Sequence, residues 1–441
     1  MGEIEHGTDT ARPLPLCEIR VLDLSGDSAP HCGQLLALFG ADVVLAEPEQ
    51  SRTTRDDLAW LAYNAGKRSL ALDREQPEGR ALLDELSHAA DVLIDDGRAI
   101  GDFDPRAESP ALIHVSVSAF GLAGPRATWL DDELIAQAAG GLLYLSGDAE
   151  HPPAGLGIPL ATGVAGAQAA CAVLIALAQR RRTGVGARID VSRQESVANL
   201  LFTTQFMANS DDAPGQRGDV SLSVQGRRIP RKTLWACADG FVTWNLWSGP
   251  GMGRKNEPIF EWMREQGVPE AADLLSLPWE KMSTGDLSAE LRERVNRCVG
   301  DFFAQRSKAL IGREAFERRI LLYVIQSFED IARDKQLDER DAFGDFDLPN
   351  GRRVSIVSRP VRSSAYRVEI PDCAPAWGAD TESIRRDWLE HPRPSTIPTP
   401  TPTTTSTSTS TPATATKTQG TASGSLPLEG IRVLDFGWLV V

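Results

Sequence analysis

The sequence predicts an α/β fold whose core is a parallel sheet covered by helices on both faces. Two observations point there. Apolar runs of strand length alternate with helical stretches along the first half of the chain. The composition, 41% hydrophobic and 24% charged over 441 residues, is that of an ordinary globular protein.

The elements follow in order. Ile19 to Leu24 reads as a buried strand and Ser25 to Pro30 as a polar turn. Cys32 to Phe39 has a helical apolar pattern and stops at Gly40, which suits a left-handed cap. Ala41 to Ala46 is a second strand, completing a β-α-β unit. Ser69 to Asp73, Pro77 to Ala90 and Asp91 to Ile94 repeat the pattern, and Leu112 to Val117 adds a strand. Asp131 to Leu143 opens with acidic capping residues and continues as an apolar helix. Gly163 to Arg181 is a long Ala-rich helix, with arginines at its end that suit the macrodipole. Ile189 to Val191 is a short strand and Gln194 to Ala208 a further helix.

Composition shifts divide the rest. The expected partition is a disordered leader at 1–13, a large domain at 14–225, a small domain at 226–339 and a return to the large domain at 340–390. Residues 391–425 form a linker, because Pro398 to Thr416 is almost wholly Thr, Ser, Pro and Ala and cannot bury a core. Beyond it, Leu426 to Phe436 matches Leu14 to Leu24 at eight of eleven positions. That identity implies a tandem duplication whose second copy starts at 426–441 and is incomplete in this chain.

Several classes are disfavoured. Lys and Arg number 46 against 61 Asp and Glu, a formal charge of −15, so no nucleic-acid partner is expected. No apolar run approaches the length of a membrane span. Met1 to Arg12 is polar, without the apolar stretch of a signal peptide, so the expected location is cytoplasmic. Six scattered cysteines without a CxxC, and six histidines without metal spacing, imply a reduced protein with no metal site. The turn from Gly26 to His31 lacks GxGxxG; its Pro30 removes a backbone donor and its Asp27 would repel a pyrophosphate. No GxxxxGK[ST] or GxSxG occurs.

Segments spread from about 14 to 390 resemble, in order, the class III CoA-transferases of the CaiB/BaiF type. They are Leu16 to Asp23, Gln34 to Val43, Asn64 to Leu70, Ala90 to Ile94, Ser116 to Pro125, Ile135 to Gly141, Gly184 to Ser192 and Trp235 to Val242. The resemblance implies a Rossmann-like large domain with a smaller α+β domain, in an interlocked dimer. The partner would be a second protomer or a second copy in the same chain. It implies CoA or acyl-CoA as substrate, an acyl-CoA donor, a carboxylic acid acceptor and no permanently bound cofactor.

It also implies a carboxylate nucleophile just before the helix at Ile135. That position holds Glu133, with Asp132 as the alternative one residue away; both can also be plain N-terminal helix charges. Ala29, Asn64, Lys67, Arg68 and Arg98 are the implied CoA contacts. Asp96, where the family has Asn, would repel phosphate. Three further readings stay open: a catalytically degenerate half, an acyl-CoA racemase or lyase using His31 or His114, and a non-enzymatic binding module. Trp235, Trp244, Trp247 and Trp262 can line an acyl pocket or pack a core.

Overall fold

A computed structural model describes residues 13–48, 55, 57–98, 104–130, 132–148, 150–202, 217, 221–224, 227–283, 285, 287–348, 351–391 and 426–435. Apart from Pro13 and His391, the expected leader and linker lie outside the described residues. The chain divides into two compact units, one formed by 1–140, 157–199 and 341–441, the other by 141–156 and 200–340.

The first unit is built on a six-stranded parallel sheet in the order β3-β2-β1-β4-β5-β6. Its strands are β1 (Arg20–Asp23), β2 (Asp42–Glu47), β3 (Arg68–Ala71), β4 (Val92–Asp95), β5 (Ile113–Ser118) and β6 (Arg188–Ser192). The order reverses between β1 and β4, which pair from Val21↔Val92 to Asp23↔Ile94. Successive side chains point to opposite faces, so β1 feeds both halves of the core. Val21 packs with Val43, Ile94 and Val115 beneath α1 (Pro30–Leu38) and α6 (Leu160–Thr183). Leu22 packs with Val44, Leu70 and Leu93 against Leu82, Leu83 and Leu86 of α3 (Pro77–Ala89), together with Ile384 and Trp388. Burial on both faces is why these strands are continuous apolar runs rather than alternating ones.

Helix α6 runs beneath the sheet against α1. The two approach so closely that a Cβ on Gly166 would lie 2.9 Å from the Cys32 nitrogen and from His31 Cβ. Glycine is therefore required at that crossing. The helix ends where Gly184, at φ 74°, donates its N–H to the Arg180 carbonyl. Contrary to the sequence-based expectation, α6 is long and apolar enough to cross a membrane, with a mean hydropathy of 1.9 over its most apolar stretch. Half of that stretch is buried inside the fold, as in the core helix of a folded domain.

The turn from β1 to α1 is locked by a buried ion pair. Lys67 Nζ donates to Asp23 Oδ2, to the Pro30 carbonyl and to Asn64 Oδ1, each at 2.8 Å. Asp23 Oδ1 accepts from the Ser25 N–H and hydroxyl at 3.0 and 2.7 Å. Both charged side chains are fully buried. The residues from 341 onward return to this unit, where Trp388 donates to Asp42 Oδ2 at 2.8 Å beneath the Arg20 guanidinium.

The second unit holds a three-stranded antiparallel sheet in the order β11-β10-β9 (Leu322–Val324, Gly240–Trp244, Leu234–Cys237) and helices including Glu257–Glu265 and Ala289–Ala304. Trp235, Trp244 and Trp262 are at most 2% exposed and pack with Phe260, Phe302 and Phe303. They form its core, not an acyl pocket.

Replacing Lys67 by Met leaves Asp23 buried without its cation. The expected loss is about 3–5 kcal/mol of unfolding free energy, measured by urea denaturation. Pairing Lys67→Met with Asp23→Asn should recover part of it.

Candidate active site

Asp132 and Glu133 begin α4 (Glu133–Ala139) and face different ways. Asp132 is the exposed N-cap, and its carboxylate accepts from the Ile135 N–H at 2.8 Å, an ordinary capping bond. Glu133 turns toward the amino-terminal end of α6. Its Oε1 accepts from the Ala161 N–H at 2.6 Å and from Gln137 Nε2 at 2.9 Å. Its Oε2 accepts from the Thr162 N–H and hydroxyl, both at 3.0 Å, and from Arg193 at 3.2 Å. Arg193 also donates to the Thr162 hydroxyl at 3.0 Å.

The chain builds this arrangement from three segments. The first-turn N–H groups of a 24-residue helix lack intrahelical partners and favour an anion. Gln137 follows Glu133 by one helical turn, so its amide reaches back along the same face. Arg193, at the start of α7 (Arg193–Leu200) and just past the carboxyl end of β6, brings the guanidinium. Gln137, Thr162 and Arg193 are 2%, 6% and 5% exposed. The Glu133 side chain keeps 27% of its surface in solvent. The result is a carboxylate held by buried donors but open on one side.

Tyr63 and His31 stand close by. The Tyr63 hydroxyl lies 3.5 Å from the Pro159 carbonyl. Burial, and then the charge of Glu133, push its phenol pKa above the ordinary value. His31 lies inside α1, not in the preceding turn, and packs edge-on against Tyr63 with ring centroids 5.4 Å apart. Its Nδ1 lies 2.7 Å from Gln34 Oε1. Burial lowers its pKa, a shift that Gln34 opposes and Lys67 reinforces.

The implied CoA contacts separate into groups. Ala29, Asn64 and Lys67 come together at the β1–α1 turn, where Ala29 caps α1 and is fully buried. The three N–H donors of Lys67 are all engaged there, so none is left for a phosphate. Arg68 lies elsewhere, with its guanidinium on Asp42 at 3.2 Å and on Asp387 at 2.9 Å. It ties β3 to the carboxyl-terminal helix rather than facing a ligand. Arg98 is exposed beyond β4 and donates to the Thr128 and Trp129 carbonyls at 3.3 and 2.8 Å. Sequence reasoning did not single out Thr162, Arg193, Tyr63 or Gln137. The roles of Thr162 and Arg193 arise from a partner far away in the chain, whereas Gln137 lies one helical turn from Glu133, within the Ile135 to Gly141 segment.

His114 is next to an aspartate: its Nε2 lies 2.9 Å from Asp95 Oδ2, and Asp95 Oδ1 also accepts from Ser116. Both side chains of the pair are fully buried between strands, so a substrate cannot reach them. Among the described residues, no group of three or more His, Cys, Asp or Glu is placed to hold a metal ion.

A model of CoA-transferase family III matches residues 16–381. A succinyl-CoA–D-citramalate CoA-transferase from Chloroflexus aurantiacus is 34% identical over 207 residues, which cover 43% of this chain and 52% of that protein. A formyl-CoA:oxalate CoA-transferase from Shigella sonnei is 34% identical over 409 residues, covering 85% of this chain and 95% of its own. The chain thus spans about half the length of the first of these relatives and nearly all of the second. Among solved structures, a CaiB/BaiF family protein from Brucella suis superposes with a TM-score of 0.70 at 23% identity. That match covers 86% of this chain and 100% of the other.

The Asp95 cluster carries a pH prediction. Burial raises the Asp95 pKa, but hydrogen bonds from His114, Ser116 and the Gly97 N–H outweigh it and hold the carboxyl below 3.8. A depressed folded pKa stabilises the fold above the unfolded value, and that contribution disappears as pH falls through the folded one. Unfolding free energy should therefore drop below about pH 4. Asp95→Asn should lower stability at neutral pH and flatten that acid limb, as followed by denaturant titration across pH.

Proposed function

The chain belongs to CoA-transferase family III, and from that premise we propose that it moves CoA from an acyl-CoA to a carboxylic acid at the amino-terminal end of α6. The observation that carries the reading is the set of five hydrogen bonds converging on the Glu133 carboxylate. Acyl transfer develops negative charge on a carbonyl oxygen, and donors fixed in advance stabilise that charge most effectively.

In this proposal Glu133 is the acyl carrier. A carboxylate offers about four acceptor positions, so five donors leave neither oxygen free while the arrangement stands. Attack therefore begins as Glu133 turns out of its seat, starting from the longest bond, that to Arg193. One Oε attacks the thioester carbon, and the carbonyl oxygen takes the charge and meets the vacated donors. The C–S bond breaks, releasing CoA thiolate and leaving a mixed anhydride on Glu133. The thiolate attacks the Glu133 carbonyl carbon, giving an enzyme-bound CoA thioester and releasing the donor acid. The acceptor carboxylate displaces the thiolate to form a second anhydride. Thiolate attack on its acyl carbon yields the new acyl-CoA and restores Glu133. CoA is substrate throughout, not a resident cofactor.

Arg98 is the exposed cation of the implied set and is assigned to a CoA phosphate. Asp132 is assigned to capping α4. The repeat of the β1 sequence at 426–436 supports pairing with a second copy of the fold, in this chain or another. Six free cysteines support a reducing, cytoplasmic location. The racemase alternative loses support, because His114 is sealed in the sheet.

The test is CoA exchange between a panel of acyl-CoAs and free acids, followed by chromatography, with hydroxylamine trapping and peptide mass mapping. The reading expects exchange for at least one pair and a hydroxamate at Glu133. Glu133→Gln should lower turnover on the order of a thousandfold or more. Absence of exchange with every pair would overturn the assignment. Exchange that survives Glu133→Gln would remove Glu133 as carrier.

A further inference from the structure

His31 carries a base that the transfer cycle does not use. Its Nδ1 lies 2.7 Å from Gln34 Oε1, and Gln34 Nε2 donates to the Ala62 carbonyl at 2.7 Å. A carbonyl only accepts, so the Ala62 contact fixes which way the amide points. Gln34 therefore presents its oxygen to His31, and Nδ1 carries the proton. In the neutral ring that leaves Nε2 as the unprotonated nitrogen. Nε2 has no hydrogen-bond partner among the described residues, yet it is not sealed in, since the ring is only partly buried. Burial lowers the His31 pKa below 6.5, with Gln34 opposing and Lys67 reinforcing, so the ring is neutral at neutral pH.

Helix α6 places this base beside Glu133. The Glu133 carboxylate accepts from the Ala161 and Thr162 N–H groups. The Tyr63 hydroxyl lies 3.5 Å from the Pro159 carbonyl and from where a Gly163 Cβ would stand. His31 Cβ lies 2.9 Å from where a Gly166 Cβ would stand, and the ring packs edge-on against Tyr63. Residues 159, 162, 163 and 166 follow one another at helical spacing along one face. From Thr162 to Gly166 the helix rises about 6 Å. One water molecule, hydrogen-bonded at about 2.9 Å and attacking from about 3–3.5 Å, bridges a span of that size.

We propose that His31 Nε2 is a general base that directs water onto the acyl group carried by Glu133, so that the site also hydrolyses acyl-CoA. For the acyl carrier the proposal rests on the transfer reading above. The O–H bond of water breaks toward Nε2 as a C–O bond forms at the acyl carbon of the anhydride. The anhydride C–O bond then breaks, and its electron pair returns to the Glu133 carboxylate. The imidazolium gives its proton to the CoA thiolate, which leaves as the thiol, and the product acid ionises into solvent. Hydrolysis thus competes with return of the thiolate to Glu133, the second step of transfer.

The experiment measures hydrolysis and transfer side by side in the full chain. A panel of acyl-CoAs is incubated without acceptor acid, and release of CoA is followed by chromatography; CoA exchange with acceptor acids is run in parallel. Release should be catalytic, and in water labelled with 18O the released acid should carry heavy oxygen. His31→Asn should cut the ratio of hydrolysis to exchange about a hundredfold. A merely structural role would lower both rates together and leave the ratio unchanged. If His31→Asn does not fold, the unsubstituted chain serves. Its hydrolysis should slow in D2O more than its exchange does, because only hydrolysis moves a proton during attack.

Exchange without hydrolysis would overturn the proposal and leave the transfer reading standing. A ratio indifferent to His31→Asn, or equal slowing of both reactions in D2O, would do the same. Hydrolysis that needs both His31 and Glu133, with no exchange for any acid, would support the water route and overturn only the transfer reading. Absence of both activities would overturn both.

Discussion

One carboxylate joins the parts of the site. Glu133 opens α4, yet its oxygens bond to α6, 28 and 29 residues on, and to Arg193, 60 residues on. Two of its donors are backbone N–H groups in the first turn of α6, where the unsatisfied end of the helix favours an anion. That charge also pairs with the buried Arg193 guanidinium, which donates to the Thr162 hydroxyl as well. The network is therefore both structural and chemical. It fixes the start of α6, and it sets donors where an acyl oxygen would need them.

The sheet makes that meeting possible. Parallel strands place the amino-terminal ends of helices and the carboxyl ends of strands on one side, and the strand order reverses between β1 and β4. Arg193 follows β6 directly, and His31 sits in the helix after β1. The buried Asp23–Lys67 pair holds the β1–α1 turn and thereby His31 and Tyr63. A Cβ on Gly33 would lie 2.3 Å from Asp23 Oδ2, so the helix can pass this close to the pair only at a glycine. The charge at Lys67 thus acts inside the fold, on the β1–α1 turn.

The strands of the large unit were legible because burial on both faces leaves apolar runs such as Val92 to Ile94. The capping role of Asp132 was legible too, since an acidic residue before an apolar helical stretch is a local signal. Helix α1 starts earlier than its apolar pattern, at Pro30, because proline at a first helical position brings a suitable φ and gives up an N–H that is unpaired anyway. Lys67 was read as a CoA contact from its place in the Asn64 to Leu70 segment; its burial was not legible there, because lysines are seldom buried and its partner Asp23 lies 44 residues away. Arg193 and Thr162 carry no pattern of their own. Only the folded topology brings them to Glu133.

The central claim is that the acyl group and CoA pass through the Glu133 carboxylate, and oxygen tracing tests it most directly. In that route the acceptor acid leaves one of its own oxygens on Glu133 in each turnover. With an acceptor acid labelled in both oxygens with 18O, peptide mass mapping after turnover should find heavy oxygen in the Glu133 side chain and none at Asp132. CoA exchange that proceeds with Glu133 unlabelled would contradict the account and place the transfer on another group.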